Sequence, residues 1–274
     1  MNRNRLVVAG IVILLLIVLF SLVGSLLVPR EMADVGAGRV AKPPSIEHLL
    51  GTDQQGRDVL ADMIYGTPSS LEIGLIAGLI GVIVGSLMGL IAGYSGGIVD
   101  DVIRVLVDVL LTIPSLMILI IVASMVGSVS IESMALIIAA LAWMWPARTV
   151  RAQVLTMRER MFIQVAKLNG TSSWKIVIEE LLPNLMPYLA AILVGAVSGA
   201  ILASVGLSTL GLGPMTKPSL GLTIYWALRY GALIRGMWWW FLPPIAIIVL
   251  LFLGLFLLSQ GLDRIANPRL QTKA

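Results

Sequence analysis

The chain alternates long apolar runs with polar intervals, and one interval is longer and more charged than those around it. Residues 6–28 carry no charge at all. Further apolar runs cover residues 71–92, 102–126, 133–145, 185–205 and 237–262. About twenty helical residues, at about 1.5 Å each, cross a bilayer core of about 30 Å. The pattern therefore predicts six transmembrane helices. The fourth is the shortest and ends near Pro146, and Pro114 predicts a kink in the third.

The exceptional interval is 148–184. From Arg148 to Leu168 it lacks proline and glycine and is rich in good helix formers. Gly170 reads as a helix stop. Thr171 or Ser172 can cap a second helix, and Pro183 is placed to end it after Leu182, since proline drives the preceding residue toward extended geometry. Phe162, Val165, Ala166, Leu168, Trp174 and Ile178 set apolar anchors among the charges. Two short helices at the membrane face could rest on lipid as an amphipathic hairpin or dock on a partner. The residues alone leave both open.

The remaining intervals are simpler. Residues 29–70 are polar, with Pro43, Pro44 and Pro68, and predict an extracytoplasmic segment with a short amphipathic helix near 58–65. Residues 94–100 and 127–132 read as turns, 206–236 as a second outer segment, and 263–274 as a polar cytoplasmic tail. Gly74, Gly78, Gly81, Gly85, Gly89 and Gly93 place small residues along one face of the second span. Gly195, Gly199 and Ala203 do so on the fifth. Such rows let helices approach closely in lipid. Trp238, Trp239 and Trp240 open the sixth span as an aromatic belt would. Arg104 and Asp108, at i,i+4 spacing, predict a local ion pair snorkelling from the third span, with a translocation role as the alternative.

Composition fixes the class. The 274 residues are 58% hydrophobic and 12% charged, about half the charged share of soluble domains, and mean hydropathy is +0.98. This is an all-α polytopic membrane protein. The net charge of +4 bears on topology, because Lys and Arg favour the cytoplasmic side. With six spans, Arg3, Arg5, Arg148, Arg151, Arg158, Arg160, Lys167, Lys175, Arg264, Arg269 and Lys273 fall on one side. That bias places both termini and 148–184 in the cytoplasm. The absence of Cys excludes disulfides, thiolate metal sites and thiol catalysis. His48 is the only His, which excludes a multi-histidine metal site. Nothing predicts a basic nucleic-acid surface or a catalytic cluster.

Two sets of motifs carry a resemblance. Gln164-Val165-Ala166, then Gly170, then Leu182-Pro183 fall in the register of the Glu-Ala-Ala loop of ABC-importer permeases. Ala166, Gly170, Leu182 and Pro183 match that pattern, and Gln164, Val165 and Glu180 depart from it. Leu50-Gly51-Thr52-Asp53, with Gly56-Arg57-Asp58-Val59-Leu60, resembles the signature of the C-type permease of dipeptide and oligopeptide importers. So do Ile64-Tyr65-Gly66, Ala92-Gly93-Tyr94, Leu106-Val107-Asp108-Val109-Leu110, Leu182-Pro183-Asn184 and Leu210-Gly211-Leu212-Gly213. Leu49 and Leu220 depart, where the family usually has Pro and Trp.

The resemblance implies a type I ABC-importer transmembrane fold in a bacterial or archaeal inner membrane. It implies a B-type permease, two cytoplasmic ATPase subunits and an extracytoplasmic solute-binding protein as partners. Coupling to an ATPase would fall on Arg158, Phe162, Gln164, Val165, Ala166, Gly170, Thr171, Trp174, Leu182 and Pro183. The chain has no phosphate loop, so ATP and Mg would be bound by the partner ATPases and this subunit would need no cofactor. The implied solutes are di- or oligopeptides, then oligosaccharides, nickel chelates or glutathione. A secondary transporter, the competing class, would need ionisable residues near mid-span, where this chain is almost bare.

Overall fold

The computed structural model describes residues 3–127 and 129–266. Helix α1 is Arg3–Leu27, and a short 3-10 turn follows at Arg30–Ala33. Then come α2 (Val59–Ser95), α3 (Gly97–Thr112), α4 (Ser115–Val126), α5 (Ile131–Ala142) and α6 (Met144–Arg158). The chain continues through α7 (Met161–Leu168), α8 (Ser173–Lys175), a π-helical turn (Ile176–Leu181), α9 (Leu182–Thr209), α10 (Leu220–Arg229) and α11 (Trp238–Ala266). Among the described residues, five helical runs are long and apolar enough to cross a membrane, and six if the bent pair α3–α4 counts as one span. Residues 267–274, most of the predicted tail, lie outside the described residues, and α11 runs past residue 263.

Helix α2 is the axis of the molecule. Along one flank, the end of α5 and the length of α6 close on its glycines. A methyl group at Gly81 would meet the Ala142 carbonyl oxygen at 2.9 Å, and one at Gly89 would meet that of Ala147 at 2.6 Å. Gly85 is closed by the Trp143 carbonyl and Pro146, and Gly93 by Val154. Gly74 and Gly78 receive Ile201 and Val197 of α9. The predicted row on α2 is thus a two-sided packing surface. The row on α9 is not one: Gly195 and Gly199 are exposed, with nothing within 4 Å of an added methyl group. Helix α9 meets α2 through its bulky Val197 and Ile201, which turns its glycine face away. A close approach the sequence pattern missed joins α1 to α11, where a methyl at Gly10 would sit 2.7 Å from the Gly254 carbonyl oxygen.

Several boundaries differ from the sequence reading. The second span does not begin at 71, because α2 starts at Val59 and runs through Pro68. Residues 58–70 look too polar for a span because they face buried polar groups rather than lipid. The ring of Pro68 is exposed, and Thr67 and Ser70 donate their hydroxyls to the carbonyls of Met63 and Gly66. The kink at Pro114 is a full break, with α3 and α4 crossing at 81°. The fourth span does not end at Pro146. Helices α5 and α6 form one apolar run, Ile131–Arg158, with Pro146 in the first turn of α6, where its missing N–H costs nothing. The outer segment 206–236 contains α10, capped by Ser219, whose hydroxyl accepts from the Leu222 amide at 3.1 Å. Trp238 is exposed as a belt residue would be, whereas Trp240 is fully buried with Val59, Ala227 and Met237.

Arg104 and Asp108 do not pair with each other. Arg104 reaches Asp101 at 3.4 Å, and Asp108 faces Arg148 of α6 at 3.9 Å. One turn of α3 brings the two residues near each other, but α6 offers Asp108 a second cation.

Candidate functional site

The bundle has two unlike ends. The first is a polar knot that starts α2. Asp58 is the N-cap, accepting from the Ala61 amide at 2.8 Å, and its other oxygen meets His48 Nδ1 at 2.8 Å. Asp53 is fully buried. It accepts from the amides of Gln55 and Arg57 and from Arg57 Nε at 2.8 Å. Arg57 Nη1 leans toward Asp62 at 3.9 Å, and Asp62 accepts from the Thr223 hydroxyl of α10 at 3.4 Å. Trp239 of α11 donates its indole N–H to the Thr52 carbonyl at 3.3 Å. Tyr65 donates to the Val28 carbonyl beyond the end of α1 at 2.6 Å. Gly51 and Gly56 have positive φ and lie under the backbone carbonyls of Lys42 and Gly38, so neither position accepts a side chain. The Leu-Gly-Thr-Asp motif is therefore a structural clasp. Its warning in the sequence was the run of acids and one Arg at 53, 57, 58 and 62, one turn apart, just before an apolar run.

The opposite end is the elbow formed by α7 and α8. It brings the predicted coupling residues together, with differing duties. The single predicted helix 148–168 is broken at Glu159 and Arg160, where α6 ends and α7 turns away. Arg158 faces inward. Its Nη1 reaches the carbonyls of Gly93 and Tyr94 at 3.3 and 3.5 Å, and so closes the last turn of α2. Ala166 is buried, and with Ile163 it joins a core cluster containing Val150, Val154, Ile176 and Leu181. Gln164 is half-buried and makes a long contact, 3.4 Å, to the Arg158 carbonyl. Phe162, Val165, Leu168 and Trp174 are exposed, Leu168 at 87% and Trp174 at 73%.

Gly170 ends α7 in a Schellman motif. Its amide donates to the Lys167 carbonyl, and the Thr171 amide donates to that of Ala166. The motif needs the left-handed backbone that Gly170 adopts, φ 76°. Space is not the constraint, because nothing lies within 4 Å of an added methyl group. Ser172 stands at the next N-cap, yet its side chain makes no capping bond. Pro183 does not end the second helix. The chain runs from Ser173 to Thr209 as one apolar helical run, and Pro183 is exposed in the first turn of α9. The π turn explains the difference. It widens the helix just before the proline, with the Leu182 amide donating to Val177, five residues back. The Asn184 side chain donates to the Glu180 carbonyl at 2.7 Å. Leu182 packs on the same core cluster as Ala166.

The end of α1 meets the start of α2 at the knot, through Tyr65 and Val28, so the first turn of α1 lies at the elbow end, and Gly261 of α11 closes on Val7 there. Asp100, at the start of α3, accepts from Nε and Nη2 of Arg151 of α6, with Nη2 at 2.7 Å. Outside these contacts the spans present wide apolar faces, Leu15 and Leu16 on α1 and Phe256 on α11 among them.

Comparison with known proteins gives the architecture a place. Residues 85–272 match the model of the binding-protein-dependent transport system inner membrane component. The oligopeptide transport system permease protein OppC of Mycobacterium tuberculosis is 34% identical over 97% of this chain and 91% of its own length. The dipeptide transport system permease protein DppC of Alkalihalophilus pseudofirmus is 31% identical, covering 99% of this chain and 88% of the relative. DppC of Bacillus subtilis is 30% identical, covering 99% and 84%. Fold, motifs and relatives agree, and the chain belongs to the family of binding-protein-dependent transport system inner membrane components, with the type I ABC-importer transmembrane fold.

Proposed function

We propose that this chain is one of two different membrane subunits of an ATP-driven importer that takes up di- or oligopeptides delivered by a solute-binding protein. The relatives named for oligopeptide and dipeptide transport support the solute class. The elbow faces the cytoplasm, as the Lys and Arg bias suggests, and the start of α1 and the end of α11 lie on that side. Residues 29–58 and 206–236 face the binding protein.

The observation that carries this reading is the elbow's own composition of surfaces. Ile163 and Ala166 fasten α7 to the bundle, while Phe162, Val165, Leu168 and Trp174 point away from it. An apolar cluster at the end of a span, fixed from behind, fits a groove on an ATPase subunit. ATP and Mg belong to that partner, and the work of this chain is mechanical. Closure of the ATPase pair moves the elbow. Because α7 is tied to α6 through Ile163 and Arg158, and α6 to α2 through the glycine row, the displacement reaches α2 as a body. The spans then open alternately to the binding protein and to the cytoplasm.

The test is Gly170→Leu in the complete importer. The left-handed φ of Gly170 opposes any side chain by about 1–2 kcal/mol, which misdirects α8 without touching the membrane bundle. The subunit should assemble, ATP hydrolysis should persist, and uptake per ATP should fall at least tenfold. Normal coupled uptake in that variant would contradict the coupling role.

A further inference from the structure

Between α3 and α6 the elbow half of the bundle carries a groove of about 140 Å3. Arg104, Asp108, Arg148 and Arg151 form its walls, with Val107 and Ala147 as floor. The four charged groups are not equivalent. Arg151 is committed, since its Nε and Nη2 both hold Asp100 and it is largely buried. The other three are loosely held. Arg104 stands 3.4 Å from Asp101 and Arg148 stands 3.9 Å from Asp108, beyond the usual 2.7–3.2 Å of a hydrogen bond (~2.9 Å at the mode). Arg104 and Asp108 are each 49% exposed and Arg148 64%.

Their place in the fold makes this informative. Asp108 lies in the bent pair α3–α4, and Arg148 lies in the apolar helical run Ile131–Arg158. Lipid offers nothing to uncommitted charges at such positions. Water or a polar solute does. The groove sets one carboxylate among guanidinium groups from both helices, which suits a molecule that carries an ammonium and a carboxylate of its own.

We propose that the α3–α6 groove is a resting point for the solute on its way across, where Asp108 takes an ammonium group and Arg104 and Arg148 take a carboxylate. This rests on the peptide reading above, because a peptide with free termini carries both groups. The loose Arg148–Asp108 contact is what the solute displaces, exchanging one weak ion pair for two. The tight Arg151–Asp100 pair behind it keeps α3 on α6 while that exchange occurs.

The chain has no cysteine, so Arg104→Cys gives this subunit a single thiol and leaves Asp108 and Arg148 in place. The complete importer, in proteoliposomes, is treated with a charged, water-soluble thiol reagent with and without trialanine as the transported probe. Labelling is read on this subunit. The proposal expects labelling in the absence of peptide, slowed at least fivefold during trialanine transport. Asp108→Asn, measured separately, should lower trialanine uptake at least fivefold while ATP hydrolysis stimulated by the loaded binding protein changes less than twofold. Failure of the reagent to label position 104 would mean lipid or the second permease covers the groove, and would overturn the proposal. Labelling indifferent to a peptide that is transported would overturn it while leaving the peptide reading intact. An unaltered importer that takes up no trialanine would overturn the peptide reading, and this assignment with it.

Discussion

The knot at the start of α2 and the elbow at α7–α8 handle their residues in opposite ways. At the knot, charged side chains are buried: Asp53, Arg57, Asp58 and Asp62 are each less than a tenth exposed. They are satisfied mostly by one another and by backbone. At the elbow, apolar side chains are exposed, and the charged ones lie among them. The first arrangement is closed on itself. The second leaves Leu168 and Trp174 mostly uncovered by the described residues. A surface fixed by its own interior is there to hold shape, and a surface fixed from behind but bare in front is there to be held. That difference separates the clasp that sets the bundle from the handle that moves it.

Substitutions can break this contrast, and the largest effect should come from the clasp. Arg57→Ala leaves Asp53 and Asp62 buried without their cation, a change worth about 3–5 kcal/mol. Thermal unfolding in detergent should show a marked loss of stability and yield. Trp174→Ala at the elbow should change stability by only about 0.5 kcal/mol, yet lower uptake per ATP strongly. Equal stability losses at the two positions would erase the distinction.

Between the two ends, the glycine row transmits. Gly85→Leu forces a side chain into the space held by Trp143 and Pro146, and overpacking of this kind costs about 1–3 kcal/mol. At Gly199 on α9 no described residue lies within 4 Å of an added methyl group, so with Gly199→Leu the isolated subunit should keep its melting temperature. The same readout checks both. The smallest contrast is between two serines. Ser219→Ala removes the hydroxyl that caps α10, worth about 1 kcal/mol. Ser172→Ala, at an N-cap where no side-chain bond is made, should leave the melting temperature unchanged.

These contrasts also mark what the sequence could and could not reveal. The spans, the Pro114 break and the α2 glycine row follow from apolar run length, a missing N–H and small-residue spacing, all local properties. Gly170 was legible for the same reason, since a left-handed stop is a property of one residue. The start of α2 was not. Its first turns are polar because Asp62 and Ser70 face α10 and the clasp, and only the folded chain supplies those neighbours. Pro183 misled because its effect depends on the turn before it, and a π turn has no clear signature in residue type. Gly195 and Gly199 repeated the α2 pattern but lacked the partner, which spacing alone cannot show. Arg104 and Asp108 had the right separation for each other, and α6 brought Arg148 closer to one of them.

The coupling role of the elbow is tested most directly by crosslinking from Trp174→Cys in the complete importer, with a short thiol-to-amine reagent and without other changes to this chain. The account predicts a crosslink from position 174 to an ATPase subunit, and a yield that changes when ATP is bound. Position 174 crosslinking to no ATPase, in an importer that still takes up solute, would contradict it and return the elbow to the lipid surface.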